Sequence, residues 1–228
     1  RSTLFPYTTL FRSIKKGNKT LIVGTSGCGK STLFYVLMRL LYPLKGNIFI
    51  QGKNYDDLAE KSIREHFAVA FQEHHIFNLS IRDNFKMLYE NITDEEIYKS
   101  LENVYLLDFV KQVGLDYIVG NDGNKLSGGQ KHRLQLAICL AKQKDIILLD
   151  EPTAGLDIKT TNNICSQLME KYQKQTMIVT SHDISLLRFF DDIIICGEEK
   201  IIEQGNIKKL LLREDSYLNK LIRYKNFI

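Results

Sequence analysis

The sequence predicts an α/β fold in which a mostly parallel sheet is flanked by helices and interrupted by a helical insertion. The first observation is alternation: short apolar runs at Thr20–Val23, Ile146–Leu149, Thr176–Thr180 and Asp192–Cys196 have the length and β-branched content of buried strands, and helical patterns separate them. The second is that between about Glu73 and Leu140 the apolar spacing turns helical and few β-rich runs occur. The third is composition. The chain has 228 residues, 44% hydrophobic and 25% charged, with 14 Gly and 3 Pro, which excludes a disordered or fibrous chain and leaves ample length for a buried core.

Residues 1–13 read as foreign. The string Thr3–Ser13 resembles the in-frame translation of a sequencing adapter, and Arg1-Ser2 repeats its ending. They are set aside from fold reasoning as a fusion scar would be, and Ile14–Ile228 is taken as one domain whose natural protein continues upstream. Within it, a turn at Lys16–Asn18 leads into the strand Thr20–Val23, a Gly-rich loop follows, and Lys30–Leu41 is a helix ended by Pro43 and Gly46. Asn47–Gln51 and Ala68–Phe71 are further strands. Helices are expected at Ser80–Tyr89, Asp94–Val104 and Gly128–Leu140, the second opened by Thr93 as cap with acids in its first turn. After the strand Ile146–Leu149, helices at Lys159–Tyr172 and Asp183–Phe190 alternate with strands at Thr176–Thr180, Asp192–Cys196 and Lys200–Glu203, and the helices Asn206–Arg213 and Ser216–Arg223 close the chain. A catalytic core thus spans 14–72 and 141–228, with a helical subdomain at 73–140.

Charge and cysteines narrow the function classes. Net charge is +4, with both signs scattered, and setting aside Arg1 and Arg12 takes it to +2, so no nucleic-acid partner is expected. Cys28, Cys139, Cys165 and Cys196 lie far apart with no C-x-x-C pair, which argues against a zinc site and a disulfide-stapled secreted fold. No apolar run approaches the roughly 18 to 20 residues of a spanning helix.

Two clusters carry chemistry. Gly24-Thr25-Ser26-Gly27-Cys28-Gly29-Lys30-Ser31 matches G-x-x-x-x-G-K-[ST] between a strand and a helix, where curled backbone N–H groups and the helix N-terminus cradle phosphate oxygens. Lys30 would lie on the β and γ phosphates, the Ser31 hydroxyl would bind Mg²⁺, and Thr32 continues the cradle. The apolar strand after Asp145 ends in Asp150-Glu151, placing two carboxylates at the carboxyl edge of the sheet, where ligands bind in such folds. Asp150 is suited to hold Mg²⁺ through water, and Glu151 to take the proton of a water attacking the γ phosphate. Leu126-Ser127-Gly128-Gly129-Gln130 then precedes a helix as a second anion cradle, with Ser127 as cap. A γ phosphate clamped from both sides needs a donor beyond Lys30, and a partner chain could supply it.

In this order the chain resembles the nucleotide-binding domain of ABC transporters, whose signature is Leu126–Gln130. The resemblance runs from Ile14 almost to the end, through the phosphate loop, Gln72 after Val69-Ala70-Phe71, the signature, Asp150-Glu151, Ala154–Asp157, and His182 after Ile178–Ser181. It implies a P-loop NTPase fold with a truncated N-terminal antiparallel β subdomain, ATP and Mg²⁺ as cofactors, and ATP hydrolysis. It also implies that Gln72 touches Mg²⁺ and the attacking water, that His182 contacts the γ phosphate, and that Asp157 reaches across a head-to-tail dimer with a second such domain, identical or different.

Phe77–Asn84 is similar to the exporter stretch that faces coupling helices, and Ser216–Leu221 resembles the exporters' terminal helix. The resemblance therefore implies transmembrane domains fused upstream and a position at the cytoplasmic face of a membrane. Asn121 stands where exporters commonly carry glutamate. A non-transport ABC ATPase acting on nucleic acid or ribosomes is the alternative; it calls for a long coiled coil between the two cradles or a second cassette, and neither is in this sequence. The family's adenine-stacking aromatic belongs to an N-terminal strand for which Tyr7 is no substitute. Titration of residues 14–228 is therefore expected to show weak ATP binding, and tight adenine-selective binding would contradict this.

Overall fold

The computed structural model describes residues 13–72, 75–197 and 200–225. The adapter-like residues 1–12 and Tyr7 lie outside them. In chain order the elements are β1 (Lys19–Gly24), α1 (Lys30–Leu37), β2 (Phe49–Ile50), β3 (Lys53–Asn54), α2 (Glu60–Glu65), β4 (Phe67–Ala70), α3 (Ile81–Lys86), α4 (Asp94–Glu102), α5 (Leu107–Val113) and α6 (Gly128–Leu140). Then come β5 (Ile146–Asp150), α7 (Ile158–Lys171), β6 (Thr176–Ser181), β7 (Asp192–Gly197), β8 (Lys200–Asn206), α8 (Ile207–Leu211) and α9 (Tyr217–Lys225). The chain divides into two compact units. One holds the residues up to Phe67 with Lys144–Glu151 and the chain from Lys174, and the other holds Ala68–Gln143 with Pro152–Gln173. The segment 152–173, assigned from the sequence to the core, groups here with the helical segment.

The first unit is built on a sheet that includes the run β5-β6-β1-β7-β8. β1 pairs in parallel with β6 and β7, β5 pairs in parallel with β6, and β7 pairs antiparallel with β8. Leu21, Ile22, Ile147, Leu148, Leu149, Met177 and Ile193 are buried, the continuous apolar run of a strand covered on both faces. β8 alternates between exposed and half-buried residues, as an antiparallel strand with one wet face does. Among the described residues, the antiparallel hairpin β2–β3 turns through Gln51 and Gly52, both at positive φ (51° and 80°), the two-residue type I′ geometry.

The second unit packs short helices around α6. α4 opens with a capping box, in which the Thr93 hydroxyl accepts from Glu96 N–H and the Glu96 carboxylate accepts from Thr93 N–H, and it lays Ile97 and Leu101 into the core. Three side chains meet backbone carbonyls in the last turn of α6. Ser100 donates to Ala137 O at 2.6 Å, Tyr89 to Cys139 O at 3.3 Å and Tyr172 to Leu140 O at 3.2 Å. Terminal carbonyls that the helix cannot satisfy by itself are thereby bonded inside the core. The burial this requires pushes the Tyr172 phenol up to about 12.

Departures from the sequence reading are local. α1 ends at Leu37 rather than Leu41, because Arg39 takes a left-handed φ of 55° and the Leu40 and Leu41 N–H groups both return to Tyr35 O. The Asn47–Gln51 strand shortens to Phe49–Ile50, Ala68–Phe71 shifts to Phe67–Ala70, and Asp183–Phe190 is a 3₁₀ turn over Ile184–Phe189 capped by Asp183. The helices α2 and α5 had not been picked out.

Truncating Ile97 to Ala, which empties a fully buried site, is expected to destabilise the chain by about 2–5 kcal/mol. Thr93→Ala, which removes only the cap, is expected to cost about 1 kcal/mol. Urea unfolding of the two variants checks the order of these effects.

Candidate functional site

Strand direction places the first set of residues. β5, β6 and β1 are parallel neighbours, so Asp150, Ser181 and Gly24 end at one edge of the sheet, and the residues that follow them leave from it.

At the end of β1 the chain turns into the phosphate loop. Gly24 is obligatory for space, since a Cβ there would lie 2.6 Å from Cys196 O and 2.7 Å from the Cys28 sulfur. Gly27 and Gly29 hold φ of 80° and 98°, and Thr25, Ser26 and Gly27 are exposed while Cys28 is buried. Gly29 opens α1 with no side-chain cap, and no acid occupies the first turn, so the N–H groups of Lys30, Ser31 and Thr32 have no intrahelical acceptor. A helix start of this kind is suited to receive an anion. Lys30 is buried, and its ammonium donates to Gly24 O at 2.9 Å and Thr25 O at 3.3 Å.

The two carboxylates are fixed differently. Asp150 is 3% exposed and stands in register with Thr180, whose hydroxyl donates to its Oδ1. Glu151 follows at a φ of 52°, a left-handed backbone that costs a non-glycine residue about 1–3 kcal/mol. Its N–H donates to Thr180 Oγ1 at 3.0 Å and to Thr180 O at 3.2 Å. Its buried carboxylate faces His182. The His182 N–H donates to Oε2 at 3.3 Å, while ring Nε2 lies 3.1 Å from Oε1 without making a hydrogen bond to it. The His182 side chain is half exposed. A buried carboxylate with one oxygen left unbonded is a ready acceptor for a water proton.

The remaining predicted residues belong to the second unit. Leu126 is buried, Ser127 and Gly128 are exposed, and a capping box closes the start of α6: Gln130 N–H donates to Ser127 Oγ at 3.2 Å, and Ser127 N–H donates to Gln130 Oε1 at 2.8 Å. A Cβ on Gly128 would meet nothing within 4 Å, and one on Gly129 would lie 3.5 Å from Leu156. Asp157 is the N-cap of α7, accepting from Thr160 N–H at 2.9 Å and from the Thr160 hydroxyl at 2.6 Å, bonds that hold its carboxyl below the usual range. Gln72 is exposed just beyond β4. His132 is partly buried, and desolvation lowers its pKa against a bond to Pro152 O. His74 lies outside the described residues. Asn84 braces the loop before α3, accepting from Phe77 N–H at 3.0 Å and donating to Phe77 O at 3.1 Å, while the Phe77 ring is exposed.

The structure therefore gathers the phosphate loop, Asp150, Glu151 and His182 in one unit, and Gln72, Ser127–Gln130 and Asp157 in the other. Sequence reasoning missed Thr180 as a member of the site. The signal in the sequence was only a hydroxyl residue closing an apolar run from Met177 to Val179, and its place opposite Asp150 is a matter of strand register.

Comparison with known proteins agrees with this geometry. The family profile described as "ABC transporter" matches residues 8–154. The β-(1→2)glucan export ATP-binding/permease protein NdvA of Agrobacterium vitis is 35% identical over 200 residues, 87% of this chain and 34% of the relative. The glutathione/L-cysteine transport system ATP-binding/permease protein CydC of Escherichia coli is 34% identical over 204 residues, 90% of this chain and 36% of the relative. The solved structure of a bacterial Atm1-family ABC exporter with ATP bound superposes with a TM-score of 0.86 at 30% identity, covering 93% of this chain and 37% of that one. The chain spans about a third of the length of these relatives. Motif order, fold and kinship agree, and the chain belongs to the ABC transporter family.

Proposed function

We propose that this chain binds ATP with Mg²⁺, pairs head to tail with a second ABC ATPase domain, and hydrolyses the nucleotide to drive the transmembrane domains of an exporter at the cytoplasmic face of a membrane. The observation that carries the reading is the sheet edge of the first unit, where an uncapped helix N-terminus and a buried lysine follow β1 and two buried carboxylates end β5, parallel strands on either side of β6.

The donor set fits the nucleotide. Backbone N–H groups from Gly27 to Thr32 take phosphate oxygens, and the Lys30 ammonium exchanges its loop carbonyls for the β and γ phosphates. The Ser31 hydroxyl and the Asp150 carboxylate are the hard oxygen ligands that Mg²⁺ prefers, with Gln72 a further candidate. When bound, the ion neutralises charge on the β and γ oxygens. Glu151 accepts the proton of the attacking water through Oε1, which makes no hydrogen bond and has the His182 ring Nε2 3.1 Å away, and His182, bonded through its own N–H to Oε2, turns its half-exposed ring toward the γ phosphate.

The partner's signature completes the clamp. Ser127 uses its oxygen as an acceptor for Gln130 N–H, which leaves the hydroxyl proton free to donate to a phosphate oxygen. Asp157, already accepting twice from Thr160, has lone pairs left for a contact across the dimer. Both chains then hold one γ phosphate, and its loss on hydrolysis releases them. Exposed Phe77, three residues before Ser80, and exposed Ile118, which bridges to Ser80, supply apolar surface for a transmembrane partner. The exporters NdvA and CydC, both named as ATP-binding/permease proteins, support a fused permease; the cargo is set by membrane segments outside this chain.

Replacing Glu151 by Gln is expected to lower ATP turnover by about 10²–10⁴-fold while nucleotide binding persists. Unchanged hydrolysis would remove Glu151 as the base. At saturating Mg-ATP the same variant is expected to run as a dimer by light scattering, and adding Ser127→Arg is expected to return it to a monomer. A dimer that survives Ser127→Arg would remove the signature from the interface.

A further inference from the structure

We propose that Thr180 is a positioning residue for hydrolysis, a single hydroxyl that sets both the magnesium-holding Asp150 and the base Glu151. Thr180 is fully buried in β6 and stands in register with Asp150 across the parallel β5–β6 pair. The hydroxyl is used in both directions, donating to Asp150 Oδ1 and accepting from Glu151 N–H at 3.0 Å. Thr180 O takes the same N–H at 3.2 Å, so the backbone and side chain of one residue grip the single amide of the base.

Two facts separate this from a core threonine that merely satisfies itself. Glu151 sits at a φ of 52°, a conformation that persists only where its surroundings impose it, and Thr180 supplies those bonds. Thr180 is also the residue that orders Asp150, whose exposure is 3%, so loss of the hydroxyl leaves a buried carboxylate oxygen without that donor. Valine has the same shape and keeps the carbonyl bond, so Thr180→Val removes the hydroxyl alone. Serine keeps the hydroxyl. Catalytic groups must be held close to productive geometry by residues behind them, and displacement by about 1 Å can cost about 10²-fold in rate.

The proposal rests on the assignment of Glu151 and Asp150 above, so the Glu151→Gln variant is assayed beside it. In steady-state hydrolysis by the full chain, Thr180→Val is expected to lower kcat by about 10- to 100-fold with KM for ATP little changed, and Thr180→Ser is expected to recover most of the rate. Wild-type turnover in Thr180→Val, or a Ser variant as poor as the Val variant, overturns the role of the hydroxyl. A rise in KM at unchanged kcat overturns it as well. If Glu151→Gln is inactive while Thr180→Val is normal, this inference alone fails. If Glu151→Gln turns over normally, the base assignment fails and the proposal falls with it.

Discussion

Parallel pairing of β5, β6 and β1 is the constraint on which the site depends. Strands that run the same way end at the same edge, and only for that reason do Asp150, the His182 turn and the phosphate loop leave the sheet side by side. The antiparallel β8 shows the alternative. Its direction sends its last residues toward the opposite edge, and none of the predicted site residues lies on it. Parallel pairing also demands cover on both faces, which is why these strands are so uniformly apolar and why a buried Thr180 or Asp150 stands out.

The starts of α1 and α6, the two proposed phosphate contacts, are built on opposite principles. At α6 the helix start satisfies itself, with Ser127 and Gln130 exchanging bonds, and α4 does the same through Thr93 and Glu96. At α1 the N-cap is a left-handed glycine and no side chain accepts from the first turn. A missing cap is worth about 1 kcal/mol of helix stability, so α1 forgoes what α4 and α6 secure, and a phosphate would supply it instead. Signature residues can then stay ordered without ligand, whereas the phosphate loop gains most by binding one.

Legibility in the sequence followed the same physics. The phosphate loop and the α6 cap are fixed by local backbone chemistry, so spacing revealed them, and the expected α6 has its observed ends. Helix ends that depend on one unusual residue were not readable. Arg39 adopts a left-handed φ with no glycine to announce it, and α1 stops four residues early. The six- and seven-residue helices α2 and α5 are too short for periodicity to show. Thr180 escaped because its meaning lies in cross-strand register, and Asp157 was given a role across a dimer while its bond to Thr160 N–H, a plain N-cap, went unread.

Glu151 shows why such cross-strand facts matter. Simple alternation along β5 would send the Asp150 and Glu151 side chains to opposite faces of the sheet. The chain instead leaves the strand at Glu151 with φ of 52°, and this break lets the carboxylate meet the His182 N–H while Asp150 stays bonded to Thr180. A glycine would adopt the turn without strain, but it would carry no base. The strain is therefore inherent in placing an acid at that turn, and it is tolerated because β6 bonds the Glu151 amide twice from one residue. Separate surroundings for two adjacent carboxylates thus come from a left-handed turn braced by the neighbouring strand, a device that the order of residues along β5 does not disclose.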